Sequence, residues 1–212
     1  LDKLRDLLTR GANANAAFRG DGTPLIEAAR GGHVEAMRTL IDEVWGGMRD
    51  GHQFRGVQTG GVSAGPLTAE HLDYAVDFDS MTEIGGMLGS GGFVVFDQHV
   101  CPVDFARYLT AFNRVESCSK CVPCHRGNPA LVEILDRIRL GGGSREDLPL
   151  MERTSKHIID LSLCGLGQVA PMPLLGMMKM YPQDFLDHID RHVCAAGACP
   201  IAAPETLATA AD

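Results

Sequence analysis

Four cysteines constrain this chain more than any other feature: Cys118, Cys121 and Cys124 in the run SCSKCVPC, and Cys164 in SLCGLGQ. Two-residue gaps let three thiolates curl around one face of an inorganic core. Any fold must then return Cys164 from far along the chain to close the cage. Three clustered thiolates plus one distant one is the ligand pattern of a [4Fe-4S] cubane. Zinc at the same four thiols is a competing assignment, because a C-x-x-C-x-x-C run also supplies zinc ligands. Buried inert thiols are the third. A thioredoxin-like pair does not accommodate a third cysteine three residues on. A secreted disulfide framework is not expected either, since the thiols are clustered and no signal-peptide pattern opens the sequence.

Composition narrows the function classes. At 212 residues the chain has room for one large or two small domains. Its 45% hydrophobic and 22% charged residues describe a globular protein with a packed core. A net charge of -8 argues against a nucleic-acid partner, because phosphate binding needs a basic face. No apolar run reaches the length of a membrane span, so direct membrane insertion is not expected. Clustered thiols without an export signal place the chain in a reducing compartment, the cytoplasm.

Residues 1–43 differ from the rest. Leu1, Leu4, Leu7 and Leu8 fall at helical spacing before Gly11. A turn at Thr23-Pro24-Leu25, a short helix through Ala28-Ala29, a break at Gly32-His33 and a second helix through Leu40 follow. This segment resembles about one and a half ankyrin repeats, with Ile26 where that family has His. Repeats of this kind bury their faces by stacking, so an array this short needs other support. Residues 44–97 carry paired glycines around an apolar strand, Phe54 to Gln58, then Phe93-Val94-Val95-Phe96, expected as a fully buried strand. They predict a small α+β module. In residues 98–193 the period becomes helical. Val103, Ala106, Leu109 and Phe112 space one helix; Leu131, Ile134, Leu135 and Ile138 a second; Leu150, Met151, Thr154 and Ile158 a third. A fourth runs from Leu174 to Tyr181, and a fifth from Pro182 to His192. Met172, Met177, Met178 and Met180 are expected in the core. Residues 194–212 make a cysteine-bearing turn and a loose tail.

The motifs GGVSAG, LGSGGFVVFD, ESCSKCVPCHRG and SLCGLGQVAPMPL occur in that order. Together they resemble the C-terminal half of the NADH-oxidising flavoprotein subunit of complex I, NAD-linked hydrogenases and formate dehydrogenases. The resemblance runs from about Gly46 to Cys199. It implies an α+β architecture: a ubiquitin-like (SLBB) β-grasp remnant, then a four-helix bundle holding one [4Fe-4S] cluster on Cys118, Cys121, Cys124 and Cys164. Two positions depart from the family: Ser119 replaces a Gly, and His125 an Arg. The serine is tolerable unless its position requires a positive φ. The family's flavin domain has no counterpart here, and the glycines of GSGGF precede a strand, not a helix N-terminus. FMN and NADH are therefore expected only in the wider assembly, not on this chain.

Cys101, Cys194 and Cys199 remain. In HIDRHVCAAGAC a Gly-containing turn brings two thiols together, and His188 lies just upstream. With Cys101 they would form a tetrahedral zinc set of three sulfurs and one nitrogen. Inert thiols and a second cluster are the alternatives. His188 and His192 compete for the nitrogen position. The family resemblance, in whose hydrogenase branch a similar turn occurs with Pro where Ala195 stands, favours His188. His33, His52, His71, His99 and His157 receive no role. No residue is assigned to acid–base or nucleophilic catalysis. The expected function is an electron-transfer module relaying electrons from a flavin to iron–sulfur centres in partner subunits. The alternative is a metal-stabilised scaffold or interaction module without a redox role.

Overall fold

Short alternating segments punctuated by glycine form the first unit. In the computed structural model, which describes Asp6, Arg10 and residues 47–74, 78–89 and 92–201, two units are resolved. The ankyrin-like reading of residues 1–43 and most of the tail after Cys199 lie outside the described residues. The first unit holds strand β1 (Phe54–Thr59), strand β2 (Pro66–Leu67), a 3-10 turn (Ala69–His71), helix α1 (Phe78–Glu83) and strand β3 (Phe93–Asp97). Both neighbours pair antiparallel with β1, giving the order β2-β1-β3. Val57 lies opposite Leu67 on one side and Val95 on the other. Its core is Val57, Leu67, Leu72, Met81, Ile84 and Leu88, with Phe54, Phe93 and Val95 packed at the margin. The glycine pairs have a use here. Gly60 and Gly89 both have positive φ, and a Cβ on Gly89 would lie 2.2 Å from the Gly60 carbonyl oxygen. Only residues without side chains let the two backbones approach so closely.

The expected full burial of Phe93–Phe96 is not found. Phe96 is buried, but Val94 is 57% exposed. Successive side chains of a strand point to opposite faces, so Phe93 and Val95 pack on the core while Val94 lies on the other face.

The second unit comprises residues 62–65 and everything described from Gln98 onward. Helix α2 spans Pro102–Val115, α3 Val122–Arg139, α4 Asp147–Leu161, α5 Gly165–Val169, α6 Met172–Met180 and α7 Pro182–Leu186. α2 packs on α3 and α6, and α3 on α4. Apolar side chains at helical spacing meet between them: Val103 and Ala106, Leu131, Leu135 and Ile138, Met151 and Ile158, Leu174 and Met177 are all completely or nearly completely buried.

Three helix expectations are corrected. Phe112 is 41% exposed, because the inward stripe of α2 runs through Thr110 and Asn113 instead. Leu150 lies off the inward face of α4, which runs through Asp147, Met151, Ser155 and Ile158. Helix α3 starts well before Leu131 and continues through Pro129, so that Cys124 falls on its first turn. Of the methionines, Met177 is fully buried and Met172, Met178 and Met180 only in part.

The polar exceptions hold the unit together. Asn113 is fully buried, donates to the Ala170 carbonyl at 3.1 Å and the Val62 carbonyl at 3.5 Å, and accepts from the Ser63 hydroxyl at 3.4 Å. It anchors segment 62–65 and the end of α5 to α2. Buried amides of this kind persist because their hydrogen bonds are made.

Candidate metal centres

Three of the seven cysteines stand at helix entrances. Cys121 is the N-cap of α3, Cys164 of α5 and Cys101 of α2, each in extended conformation. At that position the first-turn N–H groups and the positive end of the helix dipole favour a thiolate.

The first group gathers around the α3 entrance. The loop from Ser117 to Cys121 is folded back so that the Ser117 hydroxyl lies 3.3 Å from the Cys124 sulfur. Ser119 supports that turn with a φ of 60° and a backbone N–H donated to Ser117 Oγ at 3.4 Å. The turn that carries Cys164 comes to the same place. The Leu163 N–H is the main reason the Cys121 thiol is held below its ordinary pKa, against the opposing effect of burial, with the Cys124 N–H adding to it. Gly167 makes the approach possible: a Cβ there would fall 2.5 Å from Ser162 Cβ and 3.3 Å from Cys124 Cβ. The Cys164 turn thus closes over the Cys121–Cys124 turn, with Cys118 and Cys164 exposed, Cys121 half-buried and Cys124 buried.

The donor set suits a four-iron cluster. The Cys164 turn lies against Cys121 and Cys124 at one rim, while among the described residues the four thiols are not gathered within 4.8 Å of one another as ligands of a single ion would be. Ser162 Oγ is buried at this rim without a hydrogen-bond partner of its own, a donor left for a sulfur to accept from. Asn128, on the next turn of α3, also reaches the Cys124 sulfur, at 3.4 Å. Sequence reasoning missed Ser117, Ser162 and Asn128. Of these only Asn128, at i+4 from a candidate ligand on a helix, left a readable signal.

The second group is tighter. Cys101, His188, Cys194 and Cys199 are all buried, and their ligand atoms all lie within 4.8 Å of one another. His188 Nε2 is 3.4 Å from both Cys101 Sγ and Cys199 Sγ, and the two sulfurs are 3.6 Å apart. Around a tetrahedral zinc with Zn–S of about 2.3 Å and Zn–N of about 2.0–2.1 Å, sulfurs sit about 3.7 Å apart and sulfur and nitrogen about 3.5 Å. For Cys101, His188 and Cys199 the observed and required separations agree within about 0.2 Å, and Cys194 Sγ lies within 4.8 Å of each of them.

Local structure explains how the set forms. α7 runs into a π-helical turn, Asp187–Arg191, which ends at His192 with a left-handed φ of 52°. The fifth helix expected from the sequence is therefore two short pieces of different winding. The wider turn directs His188 inward, and the reversal at His192 returns the chain so that Cys194 and Cys199 face it. His192 is exposed and outside the group. The Gly197 N–H donates to the Cys194 carbonyl at 3.0 Å, closing the turn between the last two thiols.

His188 Nδ1 lies 2.7 Å from the Asp184 carbonyl, which fixes the proton there and leaves Nε2 free to bind a cation. Without a metal the group shares protons. Hydrogen bonding from Cys199, with His188 adding to it, lowers the Cys101 thiol to about 4 against the effect of burial. Cys199 is raised by the same Cys101 sulfur and by burial. Burial disfavours a charged His188, yet the neighbouring Cys101 thiolate prevails and raises its pKa.

Residues outside these groups have structural roles. His71 accepts the Thr68 N–H in a capping box at 3.2 Å, and the His52 imidazole pairs with the Asp97 carboxylate.

Residues 104–188 match the model of the NADH-ubiquinone oxidoreductase-F iron-sulfur binding region. The chain carries that family's iron–sulfur binding region. Among curated proteins it is 42% identical over 164 residues to the HndC component of the NADP-reducing hydrogenase of Solidesulfovibrio fructosivorans, covering 77% of this chain and 34% of that protein. It is 38% identical over 159 residues to a component of the NADH-quinone oxidoreductase of Rhizobium meliloti, covering 75% and 38% respectively. The chain therefore spans little more than a third of the length of these relatives. A solved structure of an NAD+-reducing [NiFe]-hydrogenase in the H2-reduced state aligns with a TM-score of 0.60 and 25% identity, over 66% of this chain and 24% of that one. The iron–sulfur binding region contains every residue of the first group and ends at His188, so Cys194 and Cys199 lie just beyond it.

Proposed function

We propose that the chain is an electron-transfer module that holds one [4Fe-4S] cluster on Cys118, Cys121, Cys124 and Cys164. One observation carries the assignment: the turn after Cys164 packs on Cys124 so closely that a Cβ on Gly167 would lie 3.3 Å from Cys124 Cβ. Bound there, the cluster supplies one-electron chemistry. The chain's own part is to orient four thiolates, aim N–H and O–H donors at them, and cover one side with the apolar faces of α2, α3 and α6.

The other side is open. Cys118 and Cys164 are exposed, and Val115, Val122, Leu161 and Leu163 beside them are 61–82% exposed. An apolar rim around exposed ligands supports docking of a partner subunit there. The electrons come from a flavin and pass to iron–sulfur centres in other subunits of an NAD-linked hydrogenase, formate dehydrogenase or quinone-reducing assembly. FMN and NADH belong to that wider assembly. Clustered free thiols support a cytoplasmic location. Among the described residues no helix is long and apolar enough to cross a membrane. Within the chain, we read residues 44–97 as an SLBB-like module and 98–193 as the iron–sulfur helical bundle, followed by the cysteine turn that begins at residue 194.

The second group holds structural zinc on Cys101, His188, Cys194 and Cys199, supported by the tetrahedral separations among Cys101, His188 and Cys199 and by the burial and proximity of all four residues.

The cluster assignment is tested with Cys164→Ser in anaerobically purified protein. Iron per chain and the dithionite-reduced EPR signal should both drop sharply. A variant keeping full iron and an unaltered signal would remove Cys164 from the ligand set, and EPR silence of the unaltered chain with stoichiometric zinc would favour the scaffold role.

A further inference from the structure

Asn128 stands four residues after Cys124 on α3 and is fully buried. Its amide nitrogen donates to the Cys124 carbonyl at 3.1 Å and to the Cys124 sulfur at 3.4 Å. Both neighbours are acceptors once the thiol is a thiolate, so the amide can face them only with its NH2 end. Its oxygen is buried with no hydrogen-bond partner. Burying an unpaired carbonyl destabilises the fold, and a leucine, with the same branching and heavy-atom count, would avoid that penalty. Stability alone therefore does not account for asparagine here. What its nitrogen touches does.

We propose that Asn128 is a positioning residue that raises the reduction potential of the cluster bound through Cys124. The inference rests on Cys124 being a ligand. Adding one electron to a four-thiolate cluster increases negative charge on its sulfurs, and an N–H already aimed at one of them binds the reduced state more strongly than the oxidised state. The amide keeps its proton throughout, and no covalent bond forms or breaks. Because the site is buried on this side, water cannot replace the lost donor. Ser117 Oγ, 3.3 Å from the same sulfur, accepts from the Cys124 thiol and from the Ser119 N–H, and becomes a second donor only when that sulfur is a metal-bound thiolate. Asn128 differs from it in having an orphaned oxygen, which sets the effects of its removal on folding and on potential in opposite directions.

The test is a potentiometric titration of the whole chain with dithionite, followed by low-temperature EPR, comparing the unaltered protein with Asn128→Leu. At a fixed potential the ratio of reduced to oxidised cluster should fall by about tenfold in the variant, a midpoint lower by about 59 mV for a one-electron couple. The metal-free variant should melt no lower than the metal-free parent. Protein labelled with 15N-asparagine should also show a nitrogen coupling to the reduced cluster that Asn128→Leu lacks. A midpoint unchanged in a variant with full iron would overturn the proposal. Should Asn128→Leu fail to load a cluster, Asn128→Asp decides: it keeps the shape, replaces the donor by an acceptor, and must lower the midpoint as well. Failure of the underlying assignment looks different, since Cys124→Ser would then retain full iron.

Discussion

Ser119 shows what a single residue conveys and conceals. Its place in the cysteine run and its departure from the family's glycine are legible in the sequence. Its φ of 60° is not, because that angle follows from Ser117 folding back toward Cys124. A side chain in the left-handed region costs about 1–2 kcal/mol. Glycine removes that strain but gives back roughly 0.5–1 kcal/mol of chain entropy. Ser119→Gly should therefore raise the unfolding free energy by up to about 1 kcal/mol, with iron content unchanged. Denaturant titration of the apo chain measures it, and a lowered midpoint would mean that the serine's own contacts outweigh the strain. The same contrast separates the candidate ligands from their surroundings. Cysteine and histidine declare their chemistry at fixed spacings, so both sets could be nominated from sequence. Asn128 and Ser117 become donors to a sulfur only once the loop is folded.

At the level of elements, helical periodicity located the helices of the second unit to within a few residues, apart from the start of α3 and the short α5. Pro129 masked the early start of α3, since proline reads as a boundary. Strand burial was less legible because an apolar run does not reveal whether one face of its sheet is covered or both. Asp147 illustrates a polar contribution that no pattern displayed. It opens α4, accepts the Ser144 N–H at 2.8 Å, pairs with Arg137, and is 4% exposed. Burial alone would raise its pKa, but Arg137 and Ser144 prevail and hold it below 3.8. A carboxylate whose pKa is depressed on folding stabilises above the unfolded-state value and ceases to do so as pH falls through the folded value. Asp147→Asn should therefore cost about 1.5 kcal/mol near neutral pH, at the low end for charged hydrogen bonds because Arg137 is half-exposed. The difference between parent and variant should shrink below about pH 4. Equal destabilisation at every pH would show that the carboxylate's charge is not what matters.

Across the whole second unit, the second group joins the start of α2 to the segment beyond α7. Cys101 and Cys199 are 98 residues apart in sequence and 3.6 Å apart at their sulfurs. A metal at that point closes a long loop and contributes folding free energy directly. Cys199→Ser, or a strong zinc chelator, should lower the melting temperature of the chain while leaving the EPR signal of the cluster nearly unaltered. His188→Ala should act likewise and His192→Ala should not. Retained zinc and unchanged melting in a Cys194→Ser, Cys199→Ser double variant would return these thiols to the role of small buried hydrophobes. There is also a consequence for biosynthesis. A chain leaves the ribosome from its N-terminus, and domains begin to fold as they emerge. Both turns of the cluster site emerge before α6 and α7, whereas the second group lacks its last two thiols until all the described helices of the unit have emerged. Iron–sulfur loading can thus precede completion of the unit, whereas a zinc ion at the second group, on the proposed assignment, would be a latch that only a finished bundle can close.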